Sequence, residues 1–82
     1  GTPALAGDAL PKLWSYNGKI YASASVDAAP HTFELYSITG QLLVQEQFLN
    51  GYQKDINHLA SGNYIGRIST SNGVVTIKVF VD

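Results

Sequence analysis

Apolar and polar residues alternate with period two along most of this chain. Residues 19–26 set Ile20, Ala22, Ala24 and Val26 against Tyr21, Ser23 and Ser25. Over 32–37, Phe33 and Leu35 oppose Glu34 and Tyr36; over 41–48, Leu42, Val44 and Phe48 share a face that Glu46 interrupts. Tyr52, Lys54 and Ile56 form a weaker set. Tyr64, Gly66 and Ile68 line one side of 63–70, and Val75, Ile77, Val79 and Val81 line one side of the last segment, leaving Thr76, Lys78 and Phe80 to point outward. A strand sends successive side chains to opposite faces, so this spacing predicts half-buried strands with one wet face. No window carries apolar residues at helical spacing between caps. With a short strand near 12–16 the count reaches about seven, which predicts an all-β fold, a small immunoglobulin-like antiparallel β-sandwich.

Glycine punctuates the strands. Gly40, Gly51, Gly62 and Gly73 recur at intervals of about eleven residues, the turn spacing of a sandwich or barrel. Asn precedes glycine at 17–18, 50–51 and 72–73. Asn-Gly suits the two positive φ angles of a type I′ turn, so these sites read as hairpins of a meander. Leu59-Ala-Ser-Gly62-Asn-Tyr64 reads as a tyrosine corner, in which the phenol hydrogen-bonds backbone a few residues upstream. Gly62 would supply the required φ and Leu59 would plug the end of the core. Residues 1–11, with Pro3, Gly7, Pro11 and three alanines, read as a flexible linker ahead of a domain over 12–82.

Composition then removes whole classes of function. The 82 residues suffice for one small domain. Five Lys+Arg against six Asp+Glu provide no basic face to displace counterions from nucleic acid. With 45% hydrophobic and 13% charged residues the chain is not a disordered tail. It has no cysteine, hence no disulfide, thiolate nucleophile or Cys-based zinc site, and its stability rests on packing. No apolar run approaches the ~18 residues of a membrane span, and residues 1–11 lack the pattern of a signal peptide. Without Met at position 1, the sequence reads as a piece of a longer precursor.

Candidate chemistry is sparse. Asp55, His58 and Ser61 have the residue types of a hydrolase triad but crowd into one turn-bearing segment, where capping is the expected role. His31 and His58 are the two imidazoles, far apart and without a third ligand at metal-like spacing. Glu34 and Glu46 would pair only if their strands adjoin, a weak basis for glycoside chemistry. The residues therefore argue against an enzyme and imply no cofactor and no metal. Trp14, Tyr16 and Tyr21 flank the Asn17-Gly18 turn, where they would either stack on sugar or cover the sheet.

Three blocks carry a family resemblance. Phe33-Glu-Leu-Tyr-Ser-Ile-Thr-Gly-Gln-Leu-Leu43, Leu59-Ala-Ser-Gly-Asn-Tyr-Ile-Gly-Arg-Ile68 and Gly73-Val-Val-Thr-Ile-Lys-Val-Phe-Val81 follow in order. Together they resemble the type A C-terminal sorting domain of type IX secretion substrates, over about residues 12–82. The Tyr-Pro-Asn-Pro opening of many members is replaced by Leu13-Trp-Ser-Tyr-Asn-Gly-Lys-Ile-Tyr21, and the chain ends in Asp82. The resemblance implies a folded address label that takes an upstream cargo domain from the periplasm through the outer-membrane translocon of a Gram-negative bacterium. Its partners would be translocon and shuttle proteins and a surface sortase. The sortase would cut within the linker around Thr2, Pro3, Ala4, Leu5, Ala6, Gly7 and Asp8, leaving the cargo surface-attached or released. The sorting motif maps to Tyr36, Gly40, Gln41, Gly62, Tyr64, Gly73, Lys78 and Val81. The competing expectation is an immunoglobulin-like or fibronectin-like accessory module that binds carbohydrate or protein. Self-association through an edge strand is left open by the sequence.

Overall fold

The alternation becomes seven strands in a computed structural model that describes residues 11–24, 30–71 and 73–82. They are β1 (Lys12–Tyr16), β2 (Lys19–Ser23), β3 (His31–Ser37), β4 (Leu42–Phe48), β5 (Gly51–Asp55), β6 (Gly62–Thr70) and β7 (Gly73–Val81). Two antiparallel sheets result, one in the order β1-β2-β5 and one in the order β4-β3-β6-β7. The long-range pairs β2–β5 and β3–β6 are those that join the second to the fifth and the third to the sixth strand of an immunoglobulin-like Greek key. The expected sandwich is therefore present. Val26 and the cleavage region Thr2–Asp8 lie outside the described residues.

Turn chemistry agrees with the sequence at one Asn-Gly pair and departs from it at another. Asn17 and Gly18 both have positive φ, 54° and 80°, and close the β1–β2 hairpin as a type I′ turn should. Asn50-Gly51 closes no hairpin: β4 belongs to the four-stranded sheet and β5 to the three-stranded one. The Asn50 carbonyl instead accepts the Ala24 N–H at 3.1 Å. The reason lies in what β5 buries. Tyr52 packs its ring against Phe33 and Phe48 across the sandwich, at 5.1 and 6.0 Å, a contact unavailable to a strand lying beside β4. The chain is thus a Greek key and not the expected meander.

The inner faces form one core. Phe33, Ile20, Leu35, Ile56 and Ile68 are fully buried, each contributing roughly 1.5–3 kcal/mol before entropy is counted. Gly66 lets the sheets meet closely, because a Cβ there would overlap the Leu13 side chain of β1. His31 is buried among these groups, edge-on to Phe48 at 5.4 Å, with neither ring nitrogen hydrogen-bonded. Along one seam Lys54 donates to Glu46 at 3.2 Å. The Tyr52 phenol is pushed above its usual pKa, first by burial and then by the Glu46 carboxylate.

Core assignments change at three residues, Leu42, Val75 and Ile77. Leu42 is 45% exposed, not core-facing, because the β3–β4 register shifts. Leu35 opposes Val44 while Tyr36 opposes Leu42, so Leu43 is the extra residue of a bulge and packs on the core in place of Leu42. In β7 only Val79 and Val81 are buried; Val75 and Ile77 are half-exposed, since the five-residue β1 covers only part of a nine-residue strand.

Candidate recognition surface

One end of the four-stranded sheet collects most of the residues singled out by sequence. The β3–β4 turn, the start of β6 and the end of β7 all arrive there, as the pairs Ser37↔Tyr64 and Gly62↔Val81 require. Gly73 is the exception, in the β6–β7 hairpin at the far end. The eight residues then divide by face. Tyr64 and Val81 point inward and are buried, Gly62 shapes the corner, and Gly40, Gln41 and Lys78 are exposed beside the half-exposed Tyr36.

Local hydrogen bonds hold the turn and the corner rigid. Gly40 N–H donates to the Ser37 carbonyl at 2.9 Å, Ser37 N–H to the Gln41 carbonyl at 2.9 Å, and Gln41 N–H to Ser37 Oγ at 3.1 Å. Ser37 and Thr39 hydroxyls are bonded to each other at 2.9 Å. Gly40, at φ 96°, turns the chain and leaves Ile38 70% exposed at the tip. At the corner the Tyr64 hydroxyl donates to the Ala60 carbonyl at 2.6 Å, the bond expected of a tyrosine corner. Gly62, at φ 143°, makes the bend that places it, and Leu59 packs on the core below.

Register builds the outer face in rows. Leu42, Tyr36, Ile65 and Lys78 are successive cross-strand partners, and Gln45, Glu34, Arg67 and Thr76 form the next row. Phe80, 59% exposed, stands opposite Asn63 beyond Lys78. A shallow depression of about 330 Å³ opens between the turn and these rows, lined by Tyr36, Ser37, Ile38, Gly40, Ile65 and Arg67. Its base is apolar and its flank charged: the Glu34 carboxylate accepts from Gln45 Nε2 at 2.9 Å and lies 3.9 Å from Arg67. Such a surface can seat an apolar side chain and orient it by charge. Sequence reasoning missed Ile65, Arg67 and Leu42 here. Ile65 left a signal, an apolar residue on the polar beat of β6.

The other candidates stay apart. Asp55 Oδ1 accepts the Asn57 N–H at 2.9 Å, the expected cap, while His58 and Ser61 are exposed. Glu34 and Glu46 occupy opposite faces, Glu46 lying across from the inward Phe33, so they form no pair. Among the described residues no group of three His, Asp or Glu side chains is placed to hold a metal. On the three-stranded sheet Trp14 stacks on its cross-strand partner Tyr21, with ring centres 5.5 Å apart and planes 9° off parallel, and Tyr16 is 71% exposed.

The family model described as "Secretion system C-terminal sorting domain" matches residues 16–82, from the end of β1 through β7. No curated protein matches the chain.

Proposed function

Because the chain belongs to the family of C-terminal sorting domains of the type IX secretion system, we propose that the machinery reads it through the turn end of the four-stranded sheet. Membership makes this a sorting signal for export to the cell surface or the exterior, in a family that is not one of enzymes. The finer reading is ours. Translocon and shuttle proteins dock on Tyr36, Ile38, Ile65, Lys78 and Phe80, and a surface sortase cuts the linker within Thr2–Asp8 to free an upstream cargo domain. The observation that carries it is the row Tyr36–Ile65–Lys78, in which Ile65 of β6 brings the motif residues Tyr36 of β3 and Lys78 of β7 together on one outward face beside the Gly40 turn.

The test is a periplasmic reporter fused ahead of residues 1–82 in a bacterium with the type IX machinery. The unaltered fusion should reach the surface, and a folded Lys78→Ala, Phe80→Ala double variant should reach it more slowly. Normal delivery of the double variant would remove the outer face from the reading. A folded wild-type fusion that stays in the periplasm would overturn the sorting role itself. The exposed Trp14–Tyr21 stack favours a second reading, an accessory module that binds carbohydrate, with an aromatic face for the sugar ring. That reading predicts retention on immobilised glycan that is lost in Trp14→Ala with export unchanged.

A further inference from the structure

A sheet edge is a row of unpaired backbone groups, and folded proteins usually blunt it. Three of the four edges here are blunted. β1 has five residues and follows the buried Pro11. β5 also has five, Gly-Tyr-Gln-Lys-Asp. β4 is bulged at Leu43 and runs polar through Gln45, Glu46 and Gln47. β7 differs: it runs nine residues in unbroken register with β6, has no proline, carries the single charge Lys78, and, although β1 packs against part of it, hydrogen-bonds to no other strand among the described residues.

The hairpin fixes which backbone groups are open. Thr70 and Gly73 flank a two-residue loop, so this closing pair exchanges both of its hydrogen bonds. Alternation then directs the amides and carbonyls of Val75, Ile77, Val79 and Val81 to β6. Those of Val74, Thr76, Lys78 and Phe80 face away from the sheet. The same four residues carry the outward side chains, with Val74 52% and Phe80 59% exposed. Lys78 takes part in neither of the ion pairs formed among the described residues.

We propose that β7 is completed by strand addition: an extended segment of a secretion-machinery protein pairs with its open edge, with apolar residues across from Val74 and Phe80 and a carboxylate across from Lys78. This rests on the sorting role and specifies how the surface is read. The edge adjoins the proposed docking face, since Lys78 and Phe80 belong to both, so one partner covers backbone and side chains together. A second copy of this chain fits poorly. β7 contains no carboxylate, and an antiparallel copy that brings Asp82 to Lys78 pairs residues 78–82 alone, leaving the open groups of Val74 and Thr76 uncovered. Nine residues a side also fall short of the roughly 20–30 that a stable interface uses.

Two measurements test the proposal on the whole chain. Thr76→Pro removes an open-side N–H and leaves the bonds to β6, which an edge strand tolerates; Thr76→Val keeps the N–H. With the reporter fusion, Thr76→Val should be delivered like the wild type and a folded Thr76→Pro at least tenfold less. Equal delivery of both, with wild-type export intact, overturns strand addition and leaves the sorting role standing. Absence of wild-type export overturns both. Should Thr76→Pro fail to fold, amide hydrogen exchange of the unaltered domain decides. Detergent-solubilised outer membranes from a type IX-competent bacterium should slow the amides of Val74, Thr76, Lys78 and Phe80 at least tenfold, and membranes lacking the system should not. Unchanged exchange at these four, or equal protection by the domain's own second copy, overturns the proposal.

Discussion

The two faces of the four-stranded sheet are built from alternate residues of the same strands, yet they serve different ends. Inward, Phe33, Leu35, Tyr64, Gly66, Ile68, Val79 and Val81 are buried and complementary to the other sheet. Outward, Glu34, Tyr36, Ile65, Arg67, Thr76, Lys78 and Phe80 have no layer above them among the described residues, and apolar and charged groups lie side by side. A residue's motif membership does not reveal which face it serves: Tyr64 and Lys78 both belong to the sorting motif, but one closes a corner and the other stands in solvent. The comparison teaches that loss of export is informative only for outward residues, because an inward change removes the fold first.

Breaking the inner face should give the largest effect. Phe33→Ala empties a site at the middle of the sandwich and should cost about 3–5 kcal/mol, a large part of a small domain's stability; thermal unfolding reads it, and export should fall with it. Gly66→Ala tests the close approach of the sheets. Its added Cβ must displace Leu13, so a loss of about 1–3 kcal/mol is expected, relieved when Leu13 is also cut to Ala. Tyr64→Phe removes the bond to the Ala60 carbonyl and should cost about 1 kcal/mol in denaturant unfolding; an unchanged midpoint would remove the corner from the account. The smallest stability effect belongs to the outer face. Lys78→Ala should change unfolding by no more than about 0.5 kcal/mol while slowing delivery of the fused reporter, which separates reading from folding. A Lys78→Ala variant that is destabilised by as much as Tyr64→Phe would erase the distinction between the faces.

Much of this was legible in the residues. Alternation places Phe33, Leu35, Ile68 and Ile20 in the core because a strand's side-chain period allows one answer once one face is buried. The Leu59–Tyr64 corner was legible because a glycine and a tyrosine at that spacing act locally. Leu42 was misread for the opposite reason: a bulge is a two-strand property, and the extra residue cannot be assigned until the partner's register is known. Asn50-Gly51 was misread because a turn dipeptide says that the chain turns, not which sheet it enters. Arg67 went unassigned because a polar residue on that beat looks the same whether it faces solvent alone or beside a neighbouring turn, and the signal of the apolar Ile65 gained meaning only once the β3 and β7 registers put Tyr36 and Lys78 on either side of it.

By itself, the sequence determined the all-β class, the strands, the inward residues away from the bulge and from the first half of β7, the corner, and the ordered blocks by which the chain belongs to its family, since all of these depend on spacing along one chain. Tertiary structure alone decided how the strands divide between sheets, where the bulge falls, and that Tyr36 and Lys78, far apart in sequence, flank Ile65 on one face. It also decided that β7 keeps an open edge. Pairing joins residues across the chain through backbone groups that every residue carries, so side-chain pattern names the strands but leaves their neighbours to be chosen by packing.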